Sequence, residues 1–173
     1  SMCFSGAELM YQNLGKMLLF IFAILLYNKQ KNIKIRDWIM IVTTKEFNIL
    51  GDYRGQLVAL EENRNIPFDL KRVFYIFGTQ EGVSRGNHSH YKTKQFLVAV
   101  NGSCKVTLDD GYNKETFNLN KPNLGLFQDA LIWGTMHDFS SDCVLMVLAN
   151  EYYDASDYIT DYDKFLKEVR NDS

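Results

Sequence analysis

The chain is poor in proline, with 2 in 173 residues, and it carries 11 glycines. That excludes a collagen-like repeat and a low-complexity, proline-rich tail. It has 3 cysteines, Cys3, Cys104 and Cys143, an odd number without metal-ligand spacing. They read as free thiols in a reducing compartment, the cytoplasm, and not as a disulfide frame or a zinc site. Charge of one sign is also missing. The 19 basic and 21 acidic residues give a formal net charge of −2, so no nucleic-acid-binding surface is expected. Nor is there an apolar run long enough to cross a bilayer, which takes about 20 residues.

The nearest to such a run is 17–26, with Lys16 before it and Lys29, Lys31 and Lys34 after it. Its length suits the core of a signal peptide, but no small-x-small cleavage site follows. A buried helix and an interfacial anchor fit as well, although membrane contact through 17–26 is not expected. Ser1 ahead of Met2 reads as a residue left by protease cleavage, and Met40 begins a stretch with the texture of a complete domain. Residues 1–39 are therefore read as an N-terminal extension, either an upstream addition or a misassigned start, and 40–173 as the domain.

What the chain does have is apolar and aromatic bulk: 46% hydrophobic residues, with 10 tyrosines and 12 phenylalanines. This composition can bury a core and suits a strand-rich fold with an aromatic-lined pocket. Residues 56–60, 71–77, 95–100, 104–108, 115–119, 124–127, 130–133 and 143–148 read as short strands. Asn101-Gly102 between two apolar runs predicts a hairpin. Short strands with closely spaced turns predict an all-β sandwich or barrel, most simply a jelly roll. The end differs: Tyr162, Phe165, Leu166 and Val169 recur at helical spacing and predict a C-terminal amphipathic helix over 160–170, with Thr160 as its cap.

The chemistry concentrates at His88 and His90, two of the 3 histidines. On a strand, a separation of two turns both imidazoles to one face. The run Gly82-x5-His88-x-His90-x4-Gln95-x6-Gly102 has the outline of the first cupin motif. In metal-binding cupins a glutamate ligand stands at the position of Gln95, and a further histidine comes from the strand near Trp133, where this chain has Gly134. Two imidazoles and a neutral amide make a poor site for a divalent ion, which takes three or four ligands with an anion among them. Three readings are open: a metal site, a pair of histidines satisfied by neighbours inside a barrel, and a metal-free acid/base pair. The residue types favour the last, because imidazole titrates near about 6.5 and both takes and returns protons near neutrality.

A longer series of stretches resembles the TDP-4-keto-6-deoxyglucose 3,4-ketoisomerases, small metal-independent cupins. It runs through Arg54-Gly55-x-Leu57-Val58-Ala59, Asn65-Ile66-Pro67-Phe68, Lys71-Arg72-Val73, Tyr75-Ile76-Phe77 and Arg85-Gly86-x-His88-x-His90. It continues in Leu108-Asp109-Asp110-Gly111, Met136-His137-Asp138-Phe139 and Tyr152-Tyr153-Asp154-x-x-Asp157-Tyr158-Ile159. The resemblance implies a cupin jelly roll acting on a TDP-linked keto-deoxysugar. The carbonyl moves from C4 to C3 through an enediolate, without metal or redox cofactor, in the synthesis of deoxy- and amino-sugars for surface glycans. It implies His88 and His90 as the acid/base pair, and the ordinary imidazole pKa places the acid limb of the rate near about 6.5. Tyr75 is expected to donate to the oxyanion or relay a proton, with a plain strand aromatic as its alternative. Arg85, and less directly Arg72, are expected to bind the diphosphate or enolate. His137 and Asp138 are read as structural, and a homodimer is expected because cupins of this size close sheet edges by pairing. A 3,5-epimerase and a non-catalytic sugar-binding cupin are the competing classes. The chain departs from the family at Asn87, where an aromatic is common, at Lys94, where a glutamate is common nearby, and at Gly134, where a histidine is common.

Overall fold

A computed structural model describes residues 43–170; the expectations for 1–39 and for Cys3 lie outside the described residues. The strands are β1 (Thr43–Glu46), β2 (Leu50–Asp52), β3 (Gly55–Leu57), β4 (Arg72–Phe77), β5 (Arg85–His90) and β6 (Gln95–Asn101). They continue as β7 (Cys104–Asp109), β8 (Lys114–Leu119), β9 (Leu124–Gln128), β10 (Trp133–His137), β11 (Val144–Ala149) and β12 (Tyr158–Ile159). A 3-10 turn (Ala155–Asp157) precedes β12, and helix α1 (Tyr162–Arg170) follows it. Two five-stranded antiparallel sheets, β1-β9-β6-β11-β4 and β12-β5-β10-β7-β8, make the sandwich, with β2 and β3 as a separate pair. This is the all-β jelly roll with a C-terminal helix that the strand pattern predicts.

Between the sheets lie Leu97, Ala99, Val106, Leu108, Leu126, Met136, Leu145 and Val147, all buried. The other face of the first sheet is covered as well: Phe96, Val98 and Leu148 pack with Phe47, Ile66 and Phe68 from the loops around it. Strand β6 is thus buried on both sides over Gln95–Ala99, which is why it reads as a continuous apolar run without alternation. Helix α1 covers the outer face of the second sheet. Its fully buried Phe165 lies 5.6 Å from the Trp133 ring, and the Tyr162 hydroxyl donates to Asp109 Oδ2 at 2.7 Å.

Four local expectations are corrected. Asn101-Gly102 does not close a hairpin: β6 pairs with β9 and β11, β7 with β8 and β10, and the turn carries the chain from one sheet to the other. Gly102 still needs its left-handed φ of 62°, because the chain must reverse whichever sheet it enters. Residues 130–133 form a turn up to Ile132, with Leu131 at φ 57°, so that β10 starts only at Trp133. The apolar run there fills the core from a loop. Of 56–60 only the first residues pair, in β3, and Val58 and Leu60 pack against the outer cluster without strand partners. The helix starts later than expected, because Asp161 and not Thr160 caps it, its Oδ1 accepting from the Lys164 amide at 2.7 Å.

Candidate active site

The site is built on β5. This strand pairs with β10 as His88 to Gly134, Gly86 to Thr135 and Arg85 to Met136, with one extra residue accommodated between them. The extra residue is Asn87, at φ 57°, next to Gly86 at φ 82°. Asparagine and glycine are the residues that tolerate this backbone. Gly86 has a second reason to lack a side chain: a Cβ there would lie 2.8 Å from the Gly134 carbonyl oxygen and 2.9 Å from Met136 Cε. The bulge resets the strand's alternation. Arg85, opposite the inward-facing Met136, comes to the side of His88 and stands exposed at the rim. The departure at Asn87 is therefore a turn residue that aims Arg85.

Inside, His88 Nε2 and His90 Nε2 are 3.2 Å apart. His90 is 2% exposed, and its Nδ1 meets Asp157 Oδ2 at 3.1 Å. The Asp157 carboxylate accepts from the backbone amides of Lys92 (2.8 Å) and Thr93 (3.2 Å) and from the Thr93 hydroxyl. A carboxylate so held is an acceptor, which fixes the Nδ1–H tautomer of His90 and leaves its Nε2 as the basic lone pair. The side-chain amide of Gln95 donates to that nitrogen at 3.3 Å. The Tyr158 ring packs against both imidazoles, with centroids 4.3 Å from His90 and 4.9 Å from His88.

Burial, then the neighbouring His88 and more weakly Arg72, lower the His90 pKa to about 4 against the pull of Asp157. Burial also lowers that of His88. Both imidazoles are thus neutral at pH 7. Burial alone would raise Asp157, but the Thr93 hydroxyl, the Lys92 amide and the charge of a protonated His90 outweigh it and hold the carboxyl below its usual value.

Gln95 stands where a metal-binding cupin has its glutamate, and it belongs to one inward-facing row across the first sheet: Gln128, Gln95, Ala149 and Arg72. The departure at Gly134 is accounted for here. A Cβ on Gly134 would lie 2.8 Å from Gln128 Nε2, so the Gln128 amide occupies the space a histidine would need. Lys94, the third departure, forms an ion pair with Asp129 at 3.3 Å. Arg72, at the edge of the row, has a buried Nε without a hydrogen-bond partner. Its guanidinium lies 5.1 Å from the Phe74 ring and 5.9 Å from the Tyr153 ring, and Tyr153 is 5.8 Å from Tyr158. Among the described residues no carboxylate pairs with it, so this wall of the site offers a free cation.

Of the residues expected from sequence, His88, His90 and Arg72 come together and Arg85 stands at the rim. Tyr75 does not join them. With Phe74 and Ile76 packed inward, alternation turns Tyr75 out, where it is 64% exposed beside Phe77. His137 lies on the outer face of β10, bonded through Nε2 to Thr107 Oγ1 at 2.8 Å, in the structural role expected for it. A surface cavity of about 460 Å³ between Tyr91, Lys92, Glu151 and Tyr152 shares only Asp157 with the histidine cluster. Sequence reasoning missed Asp157, Thr93 and Tyr158. They lie far along the chain from the His-x-His motif or carry no motif of their own. The signal for two of them was the Asp157-Tyr158-Ile159 stretch, which matches the family beyond any helix or loop requirement.

Comparisons with known proteins show which family the chain belongs to. The family described as FdtA: WxcM-like, C-terminal, matches residues 40–170. A TDP-4-oxo-6-deoxy-alpha-D-glucose-3,4-oxoisomerase from Aneurinibacillus thermoaerophilus is 54% identical over 123 residues, 71% of this chain and 88% of that protein. A 3,4-ketoisomerase from Helicobacter canadensis is 41% identical with a TM-score of 0.74, covering 76% of this chain and 99% of that one. A mutant of the 3,4-ketoisomerase QdtA from Thermoanaerobacterium thermosaccharolyticum, in complex with TDP-4-keto-6-deoxyglucose, is 40% identical with a TM-score of 0.75. It is covered to 97%, by 78% of this chain. The chain belongs to the FdtA family of sugar 3,4-ketoisomerases.

Proposed function

We propose that this chain converts a TDP-4-keto-6-deoxyhexose to the TDP-3-keto-6-deoxyhexose, with residues 40–173 as the catalytic domain. The observation that carries the reading is the buried Asp157–His90–His88 line, with both imidazoles neutral, in a chain of this family. The C4 carbonyl acidifies the proton at C3. His90, oriented by Asp157, is the base and becomes imidazolium on taking the C3 proton. It passes that proton across the 3.2 Å Nε2–Nε2 contact to the more accessible His88, which delivers it to C4, so that both imidazoles end neutral. Arg72 supplies a permanent charge for the diphosphate, and Arg85 a second one at the rim. With neutral Gln95 in the glutamate position and Gly134 in the histidine position, no metal ion is required, and the rate survives chelation with EDTA. Proton NMR of the protein incubated with TDP-4-keto-6-deoxyglucose tests the reading: a 3-keto product supports it, and unchanged substrate refutes it.

The same reading includes a homodimer in the cytoplasm that serves deoxysugar synthesis for surface glycans. The dimer is supported by two exposed apolar regions, Leu50 and Leu57 on the β2-β3 pair and Val73, Tyr75 and Phe77 on the edge strand β4. A two-stranded pair exposed in this way is marginal in water unless something covers it. Light scattering at micromolar concentration tests it, and a monomer counts against it. No described helix is long and apolar enough to cross a membrane.

A further inference from the structure

We propose that Gln128 is a specificity-determining residue, its amide oxygen accepting a hydrogen bond from the 2-hydroxyl of the keto-hexose. The inference rests on the isomerase reading and deepens it by naming a contact that selects the sugar. Gln128 lies opposite Gln95 in the β9–β6 pair, so both side chains stand on the inward face of the first sheet. Across the sandwich, a Cβ added at Gly134 would meet Gln128 Nε2 at 2.8 Å and Oε1 at 2.9 Å. Gly134 is in turn the residue paired with His88. The amide therefore reaches the second sheet on the face that carries the histidines. A side chain at 134 would push it away, and the glycine is what lets it come so close.

The orientation of the amide follows from its partner. Gln128 Nε2 is 3.0 Å from the Ile132 carbonyl oxygen, which can only accept, so the nitrogen is the end that faces it. Oε1 is left as an acceptor, buried and without a hydrogen bond among the described residues. A buried acceptor is costly to leave unpaired, so a donor is expected to meet it when the site is in use. Gln128 is 4% exposed and His90 2%, so a sugar that reaches the histidines enters the same enclosed space. O4 is a carbonyl in the substrate and O3 a carbonyl in the product, and a carbonyl cannot donate to Oε1. The 2-hydroxyl is attached next to C3 and keeps its proton throughout. It is the donor that can hold the ring both before and after the carbonyl moves.

The test compares TDP-4-keto-6-deoxyglucose with its 2-deoxy analogue, TDP-4-keto-2,6-dideoxyglucose, in the NMR assay. Wild type should favour the 2-hydroxy sugar in kcat/KM by about 10-fold, the share of one hydrogen bond. Gln128→Met keeps the length of the side chain without its amide, and the preference should shrink to about twofold or less. The loss should appear in KM with kcat near wild type, because a hydroxyl that keeps its proton is bound alike in the ground and transition states. Gly134→Ala probes the same contact from the other sheet. Its Cβ displaces the amide, so it too should erase the preference, and it carries the test if Gln128→Met does not fold. A preference that survives in either folded variant overturns the proposal. So does an equal loss on both sugars in Gln128→Met, since Gln128 then only fixes the turn to Ile132. An active wild type that is indifferent to the 2-hydroxyl also overturns it. Wild-type protein that makes no 3-keto product from either sugar sinks the isomerase reading itself, an outcome distinct from an active but indifferent enzyme.

Discussion

The molecule contains two clusters made of the same three residue types. Inside the sandwich, His90 meets Asp157, which in turn accepts from Thr93. On the outer face of the second sheet, His137 meets Asp138 at 3.4 Å and Thr107 at 2.8 Å. They differ in what the second nitrogen of each imidazole meets. Asp157 is buried and held by two backbone amides, so its carboxylate can only orient the imidazole, and His90 Nε2 is left pointing at His88. Asp138 is 58% exposed and shared with Lys105, and His137 Nε2 is already engaged by a threonine that also bonds Thr116. A histidine, an acid and a hydroxyl therefore do not make a site. What separates the two clusters is burial and an imidazole nitrogen that meets the second histidine.

The hardest test of that contrast is on the inner pair. His90→Asn and His88→Asn are each expected to cut kcat about 10²- to 10⁴-fold in the NMR assay, and near-normal turnover in both would make the inner cluster as structural as the outer one. The two should also differ in kind. His90→Asn abolishes deuterium exchange at C3 because no enediolate forms, whereas His88→Asn retains exchange without product.

Asp157→Asn sharpens the comparison next. Its amide can donate to His90 Nδ1 and select the wrong tautomer, so kcat is expected to fall about 100-fold while TDP affinity is kept. The pH dependence follows from the same contacts. His90 titrates near 4 in the folded protein and near about 6.5 unfolded, so between these values the unfolded chain binds more protons. Its contribution to stability is complete above the unfolded value and is lost as the pH falls toward 4. Melting temperature should decline over this window in the wild type and less steeply in His90→Asn. The acid limb of kcat/KM should lie below the ordinary imidazole range, and a limb at 6.5 or above would show that burial does not hold the pair neutral.

A smaller effect is expected at Gly86, which supports the inner cluster without touching it. An alanine there must adopt φ 82° and pushes on the Gly134 carbonyl. Left-handed backbone costs about 1–2 kcal/mol for a residue with a side chain. Gly86→Ala should lower the melting temperature by several degrees and kcat by about 10-fold, through displacement of β5. An unchanged melting curve would mean that the bulge can relax.

How far the sequence could be read follows the same division between local and long-range causes. Strands β4, β6 to β9 and β11 were legible because their apolar runs and alternation are local, and His-x-His was legible because period-two geometry is too. The Asn101-Gly102 turn was legible as a turn, but which sheet each flank would join depends on partners far along the chain. Gly86 and Asn87 look like loop residues in the sequence, and only pairing with β10 makes them a bulge that brings Arg85 to the rim on the side of His88. Tyr75 was misplaced because one residue of register decides its face, and neither neighbour announces the register. Asp157 reaches His90 from 67 positions away, a distance over which periodicity says nothing.

The smallest effect is expected at His137, and it closes the comparison from the other side. Its Nδ1 contact with Asp138 is long, and the Asp138 carboxyl is held below its usual range by the Lys105 ammonium first and by His137 second. Because Asp138 is at the surface, these contacts are screened by water and salt and contribute little to stability. The hydroxyl of Thr107 keeps Thr116 as a partner when the imidazole is removed, so no buried group is stranded. His137 also lies on the opposite side of β10 from Gly134, the residue that faces His88. His137→Asn should therefore leave kcat and KM within about twofold of wild type and shift the melting curve by no more than a surface substitution does. A loss of kcat as large as that of His90→Asn would mean that the outer triplet takes part in the reaction, and burial would no longer separate the two clusters.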